Sequence, residues 1–358
     1  MIALVALVAG AADGGNISAA EPGLKAVLLA ATQVTGERLR TIQAEGNNAV
    51  VLDLSAADVS LEKAAAKRIQ QAGLALYYWI EIGRSPALAD AHPEWMASIQ
   101  THQEFRRLFP NLPALKDGEV VKTYPWVPVL YQETFPVHLQ RVQQLLADKP
   151  VPRGIFLNDL QAGPSACGCG HQLCRWTTDY GKILTATKLP ADGAAKFVAA
   201  VKRLMPQAKV IPVWATECEE RDKDTLCNGV GCFNGACWKE FTAQLTPVAE
   251  EAETIAALLP YRALQRDLPH YGPTAGWITQ ALNSFSTMPA RYQARPVVPG
   301  RLIAVLEGWD VTTAQIQAQI DRTKEAGAAG YVVALMRIEQ GWEPRIVKAV
   351  PPAQKSTK

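Results

Sequence analysis

From Leu24 onward, short apolar runs rich in β-forming residues alternate with longer stretches of helical periodicity. This is the pattern of βα units that build a parallel sheet. Strands are predicted over Lys25–Ala31, Ala49–Ser55, Leu74–Ile82, Arg153–Gln161, Lys209–Glu217, Thr254–Arg262, Arg301–Trp309 and Gly330–Arg337. Helices are predicted over Gly36–Gly46, Leu61–Gln71, Pro136–Ala147, Ala191–Met205, Trp238–Glu250, Trp277–Phe285, Ala314–Ala326 and, as a short last one, Arg345–Val350. Ser55 and Asp58 are placed to cap the second of these. Eight strands with helices between them predict a closed (β/α)8 TIM barrel, an α/β fold in a single domain over residues 24–350, rather than an open doubly wound sheet.

One interruption breaks the rhythm. Gly83 to Glu133, about fifty residues, is too long for a simple connection after the third strand. It is rich in proline and aromatics, with Trp95 and Trp126, and is expected to form a lid or substrate wall. Cysteine-rich loops follow the fourth and fifth strands, and a polar tail closes the chain over 351–358.

Charge narrows the choice of partner. Lys plus Arg total 36 against 34 for Asp plus Glu, so the net charge of +2 gives no electrostatic case for nucleic acid or an anionic membrane. A neutral or small polar ligand fits better. The opening run Met1-Ile-Ala-Leu-Val-Ala-Leu-Val-Ala9-Gly10-Ala11 has the shape of a signal-peptide core and cleavage site over residues 1–12, without the basic leader, and a secreted or periplasmic protein is expected. No stretch approaches eighteen unbroken apolar residues, so no membrane span is expected. No glycine-rich nucleotide fingerprint follows any strand, and no cofactor is expected.

In a barrel of parallel strands, chemistry sits at the C-terminal strand ends. Those ends carry Asp53, Glu81, Asn158 with Asp159, Glu217, Arg262, Glu307 and Arg337. Unpaired charges at the tips of apolar strands are costly to bury, so they are expected to line one cavity. The alternative is a stabilising ring of pairs, such as Arg337 with Asp53 or Arg262 with Glu217. The Asn158-Asp159 pair ending the fourth strand and Glu307 ending the seventh resemble barrel glycoside hydrolases. In those enzymes the acid/base follows an asparagine on strand four and the nucleophile sits on strand seven.

A closer resemblance is to bacterial glycoside-hydrolase-like barrels of largely uncharacterised activity. It is carried by His92-Pro93-Glu94-Trp95, by Gly154-Ile155 with Asp159, by Cys167, Cys169, Cys174, Arg175 and Trp176, and by Gly330-Tyr-Val-Val through Trp342-Glu-Pro344. Two departures stand out: Asp159 occupies a position where glutamate is usual, and the cysteine spacing is stretched by two residues. The resemblance implies Asp159 as acid/base and Glu307 as nucleophile or base, with Glu217 in reserve for either role. Acetal cleavage needs such a pair, one group to protonate the leaving oxygen and one to stabilise or attack the anomeric carbon.

Trp79, Trp214, Trp309 and Trp342 fall at or just past strand ends, where their faces could stack on a sugar. With Asn158, Asp53, Glu81, Arg262 and Arg337 they make the expected substrate-binding set. All seven cysteines, Cys167, Cys169, Cys174, Cys218, Cys227, Cys232 and Cys237, lie in two loops that adjacent strands bring together. In an exported chain they are expected to form disulfides; the alternative, with His171, is a structural zinc site. His102, His138 and His270 are expected at the surface of helices or loops, and no Ser-His-Asp triad is supported.

The expectation is therefore a glycoside hydrolase acting on an oligo- or polysaccharide, its oligomeric state left open. The main alternative is a non-catalytic carbohydrate-binding or scaffold barrel; a metal-dependent hydrolase comes third, since histidines are absent from the strand ends.

Overall fold

The computed structural model describes residues 23–55, 57–96, 110–160, 192–215, 245–262, 265, 275–291, 293–338 and 343–348. Among the described residues ten strands run β1 Leu24–Leu29, β2 Ala49–Asp53, β3 Ala75–Glu81, β4 Glu119–Tyr124, β5 Gly154–Asn158, β6 Lys209–Ala215, β7 Ile255–Leu259, β8 Leu302–Glu307, β9 Gly330–Ala334 and β10 Glu343–Lys348. Eight of them close into a parallel barrel in the order β1-β2-β3-β5-β6-β7-β8-β9, with β9 hydrogen-bonded back to β1. Helices with both ends among the described residues are α1 Gly36–Ala44, α2 Val59–Gln71, α3 Pro86–Ala91, α4 Thr134–Leu146, α5 Gly193–Leu204, α6 Trp277–Arg291 and α7 Thr313–Glu325.

The (β/α)8 barrel is thus as the periodicity predicts, for a local reason in each unit. Helix α2 starts where the Asp58 side chain accepts from the Leu61 N–H, and α7 starts at a capping box of Thr312 and Gln315. Alternate strand residues divide two cores between them. One set, including Ala26, Val51, Trp79, Phe156, Val213, Leu258, Val305 and Val332, fills the barrel interior. The other set, including Leu52, Ile80, Leu157, Trp214 and Leu306, packs outward against the helices. Trp79 and Phe156 stack inside with centroids 5.9 Å apart.

The insertion after β3 is folded. It holds α3, a 3-10 turn at Pro93–Trp95, and β4. The His-Pro-Glu-Trp segment makes a closed turn, with the His92 ring stacked on Trp95 at 3.8 Å and its Nδ1 3.1 Å from Glu94 Oε1. Trp95 packs against Trp126 and Tyr131, so the described part of this motif is a buttress.

Two expectations are corrected. Arg345–Val350 was expected as a short helix, whereas Glu343–Lys348 is a strand pairing antiparallel with β4, Arg345 opposite Lys122 and Ile346 opposite Val121. Ile346 and Val347 suit a pleated surface, and β4 supplies the pairing partner. The Arg345 guanidinium lies 3.1 Å from the Tyr124 ring centroid and 2.5 Å from Asp90 Oδ1. Arg345→Ala is expected to cost about 0.5–1 kcal/mol and to speed amide exchange at Val121 and Ile346, read by hydrogen exchange.

His138, expected at a surface, is fully buried on α4. Its Nε2 lies 3.2 Å from the Pro128 carbonyl oxygen. Burial, helped by the Arg141 charge, pushes its pKa down to about 3, so it packs as a neutral ring. Histidine is apolar enough in that form to occupy the inner face of an amphipathic helix, which hydropathy alone assigns to water.

Candidate functional site

The interior face of the barrel changes character at its C-terminal end. Val51, Trp79, Phe156 and Val305 fill the interior, and two residues further along the same strands stand Asp53, Glu81, Asn158 and Glu307. The period of two turns these side chains to the same face, so four strands deliver a polar layer to one mouth. In-register pairing sets Glu81 beside Asn158 and Asp53 beside Trp79.

Glu81 is the centre of this layer. Its Oε1 accepts from Trp79 Nε1 at 2.6 Å, and its Oε2 accepts from Asn158 Nδ2 at 2.8 Å. Asp159, one residue past β5, would face the helices if the strand continued. Instead its φ is +56°, a left-handed turn that aspartate tolerates, and its carboxyl hydrogen-bonds the Glu81 carboxyl. The turn is held by the Ile82 N–H on the Asn158 carbonyl at 2.9 Å and the Gly83 N–H on the Asp159 carbonyl at 3.2 Å. Gly83 is required here: a Cβ would sit 2.8 Å from both the Asp159 oxygen and Trp126 Nε1.

Two carboxyl groups in contact cannot both ionise cheaply. Burial pushes Asp159 well above the usual carboxylate range and the Glu81 charge adds to it, while Arg84 opposes. Burial also raises Glu81, against hydrogen bonds from Trp79 and Asn158. The pair therefore holds a proton between them, with Asp159 the better proton holder. Arg141 on α4 anchors the end of β3, donating through Nη2 to the Glu81 carbonyl and, at 3.1 Å, to that of Ile82.

Asp53 lies alongside. Burial first, then the charges of Glu81 and Glu62, push its pKa up to about 7. The native state thus holds a proton on Asp53 between about pH 4 and 7 that the unfolded chain has released, and stability falls as pH rises across that window. Asp53→Asn should remove this slope. It is expected to match the wild type near pH 4 and to be more stable at pH 8 by on the order of 2–3 kcal/mol, after allowing for burial of the amide, read from urea midpoints at the two pH values.

Glu307 is built differently. Its carboxylate accepts from the Arg262 N–H at 3.0 Å and from Arg262 Nε at 2.5 Å, and it is 2% exposed. Arg262 also reaches Asp310 at 3.3 Å, and Gln319 Nε2 donates to the Glu307 backbone oxygen. The arginine was expected to end a strand; it lies in the helical segment just after β7 and grips Glu307, while Glu217, its partner in the ring of pairs, lies outside the described residues.

A cavity of about 790 Å³ opens beside the ends of β2, β3 and β9, lined by Asp53, Glu81, Arg84, Arg141, Lys149 and Arg337 among others. Arg337 stands three residues past β9 and is exposed. Asp53, Glu81 and Arg337 thus share one cavity, as expected, with Asn158 and Asp159 joined to it through Glu81, whereas Arg262 and Glu307, expected to line the same cavity, are not among its lining residues and pair with each other instead. Arg84 and Arg141 were not foreseen. Arg84, three residues past Glu81, could have been suspected as another strand-tip charge, and Arg141 as a cation on the buried stripe of α4.

The tryptophans divide. Trp79 and Trp214 are fully buried, one inside the barrel and one against the helices, so neither offers the rim face expected of it. Large flat side chains near a strand end also suit the core, and alternation decides between the two. Trp309 is half-buried over the interior cluster. Glu217, Trp342 and the seven cysteines lie outside the described residues, as do residues 1–22. Among the described residues there is no group of three histidine, cysteine, aspartate or glutamate side chains placed to hold a metal ion. No described helix is long and apolar enough to cross a membrane.

Fold and mouth together define a (β/α)8 barrel with a carboxyl cluster at the C-terminal strand ends, and solved glycosidase barrels share that fold. The β-galactosidase of the psychrophilic Marinomonas ef1 aligns with TM-score 0.50 at 11% identity, over 89% of this chain and 55% of that one. This chain therefore spans about half the length of that galactosidase. The endo-1,4-β-D-mannanase of Thermotoga petrophila RKU-1 aligns with TM-score 0.45 at 12% identity, over 89% and 92% of the two chains. The β-glucosidase of Thermotoga maritima aligns with TM-score 0.48 at 11% identity, over 87% and 88%. No protein-family model and no curated protein matches the sequence.

Proposed function

We propose that this barrel acts on a carbohydrate by carboxylate acid/base chemistry at its C-terminal mouth, with Asp159 as the acid/base and Glu307 as nucleophile or base. The observation that supports it most is the carboxyl–carboxyl contact of Asp159 with Glu81, in which burial and a neighbouring negative charge keep a proton on Asp159. Protonation of a glycosidic oxygen needs a carboxylic acid that has not already ionised at working pH. Glu307, held by two contacts from Arg262 just after the adjacent strand, supplies the second carboxylate. Asn158, Asp53, Trp309 and Arg337 are assigned to the sugar, and Glu217 and Trp342 remain candidates on the sequence alone. The galactosidase likeness adds the fold only, since one barrel hosts many chemistries.

A second reading, a non-catalytic carbohydrate-binding barrel, is favoured by two observations. Arg262 engages both oxygens of Glu307, and the Asp159 carboxyl is withdrawn from solvent. A chromogenic-glycoside screen with a glycan array, run on the full chain beside Asp159→Asn, separates the two. Turnover by the wild type, lost in the variant with binding retained, supports hydrolysis. Equal binding without turnover in both proteins selects the second reading.

A further inference from the structure

Two carboxyl groups line the 790 Å³ cavity, Asp53 and Glu81, and they are not equivalent. Glu81 is occupied: Trp79 Nε1 donates to one oxygen at 2.6 Å, Asn158 Nδ2 donates to the other at 2.8 Å, and the Asp159 carboxyl hydrogen-bonds it as well. Asp53, half-buried at the end of β2, is not. Among the described residues no donor hydrogen-bonds its carboxyl, and the two charges that act on it, Glu81 and Glu62, both repel. A carboxyl drawn partly out of water without a donor is unfavourable by itself. Set in a cavity wall, it is placed to accept from a bound molecule, and in its ionised form it accepts at both oxygens and donates at neither.

The rest of the wall narrows what that molecule is. Fixed charges of both signs stand in it, since Asp53 and Glu81 oppose an anion while Arg141 and Lys149 oppose a cation. A neutral ligand loses least. Gln140 and Gln144, one turn apart on α4, each add a carboxamide that both donates and accepts, and Val137 and Met336 add apolar surface. The volume lies within the usual range of small-molecule sites, about 300–1,000 Å³. A sugar ring with two free hydroxyls on adjacent carbons meets each of these demands: it is neutral, it has apolar C–H faces, and it offers a carboxylate two neighbouring donors. Two bonds to one carboxylate fix orientation as well as adding energy.

We propose that the cavity takes a neutral glycan through two adjacent hydroxyls of one ring, both donated to Asp53, which thereby selects sugars with a free vicinal diol. This rests on the carbohydrate reading above and narrows its substrate class.

The test is calorimetric titration of the full chain at pH 8, above the pKa of about 7 to which Asp53 is pushed. The probes are methyl glycosides of the 1,4-linked tetraoses of glucose, galactose, mannose and xylose. Each is paired with a counterpart methylated at O3 of every ring, which leaves no two free hydroxyls adjacent. Tetraoses of galacturonate and of 6-amino-6-deoxyglucose keep the diol and carry charge. The expected result is that at least one neutral tetraose binds about tenfold or more tighter than its methylated counterpart and than either charged one. Asp53→Asn, which offers one acceptor oxygen in place of two, should remove most of the margin over the methylated counterpart. That variant is expected to be the more stable protein at pH 8, so lost binding is not lost folding, and urea unfolding checks this. A methylated tetraose bound as tightly as its parent, or a charged one bound more tightly than every neutral one, would overturn the selectivity and leave the carbohydrate reading in place. A margin unchanged in Asp53→Asn would overturn the role given to that residue. Binding of none of these saccharides would remove this inference, and the carbohydrate reading would then stand or fall on the glycoside screen and glycan array.

Discussion

Asp159→Asn is expected to lower glycoside turnover by about 10²- to 10⁴-fold, the usual range for loss of a positioned general acid. The amide keeps the shape and accepts the same neighbours but has no transferable proton, so binding should persist while kcat falls. Glu81→Gln then tests where the proton affinity comes from. The Glu81 charge raises Asp159 by Coulomb repulsion and by sharing a hydrogen bond. Removing that charge lowers the Asp159 pKa, and the alkaline limb of the pH–rate profile should move to lower pH. An unmoved limb would mean that Asp159 is not the titrating acid, whatever the effect on rate.

Lys149→Ala is expected to cost about 3–5 kcal/mol of folding stability, read from urea unfolding. Lys149 and Glu62 are 1% and 3% exposed, with Nζ 3.1 Å from Oε2. The ammonium also donates to the Leu145 carbonyl at 2.7 Å, and Glu62 Oε1 accepts from the Ser55 N–H at 2.9 Å. The pair clamps α2 to the segment after α4 and fixes the start of the loop behind Asp53. Removing the lysine alone leaves a buried carboxylate without its counter-charge, which is what makes the loss large. Pairing Lys149→Met with Glu62→Gln should recover most of it, because no uncompensated charge remains. A loss under 1 kcal/mol for Lys149→Ala would show that the pair contributes no more than an exposed one.

These two predictions divide along the line between what is local and what is not. Apolar runs spaced by helical segments suffice for the barrel, since each βα unit is stabilised by its own period, cap and turn. Asp58 before α2 and Thr312 before α7 are examples legible in sequence. The position of Asp53, Glu81, Asn158 and Glu307 at strand ends was legible too, and the observed strand bounds with their two-residue period turn these four to one face.

Tertiary structure decided the rest. The positive φ of Asp159 turns it from the helix layer toward Glu81. Glu343–Lys348 is a strand because β4 pairs with it. Arg262 meets Glu307 across adjacent strands, and Trp79 and Trp214 are core because the barrel and the helices close over them. Each of these depends on a group distant in sequence, and desolvation and pairing act through space. A strand tip announces a charge in the sequence; its counter-charge, and with it its chemistry, is set only when the barrel closes.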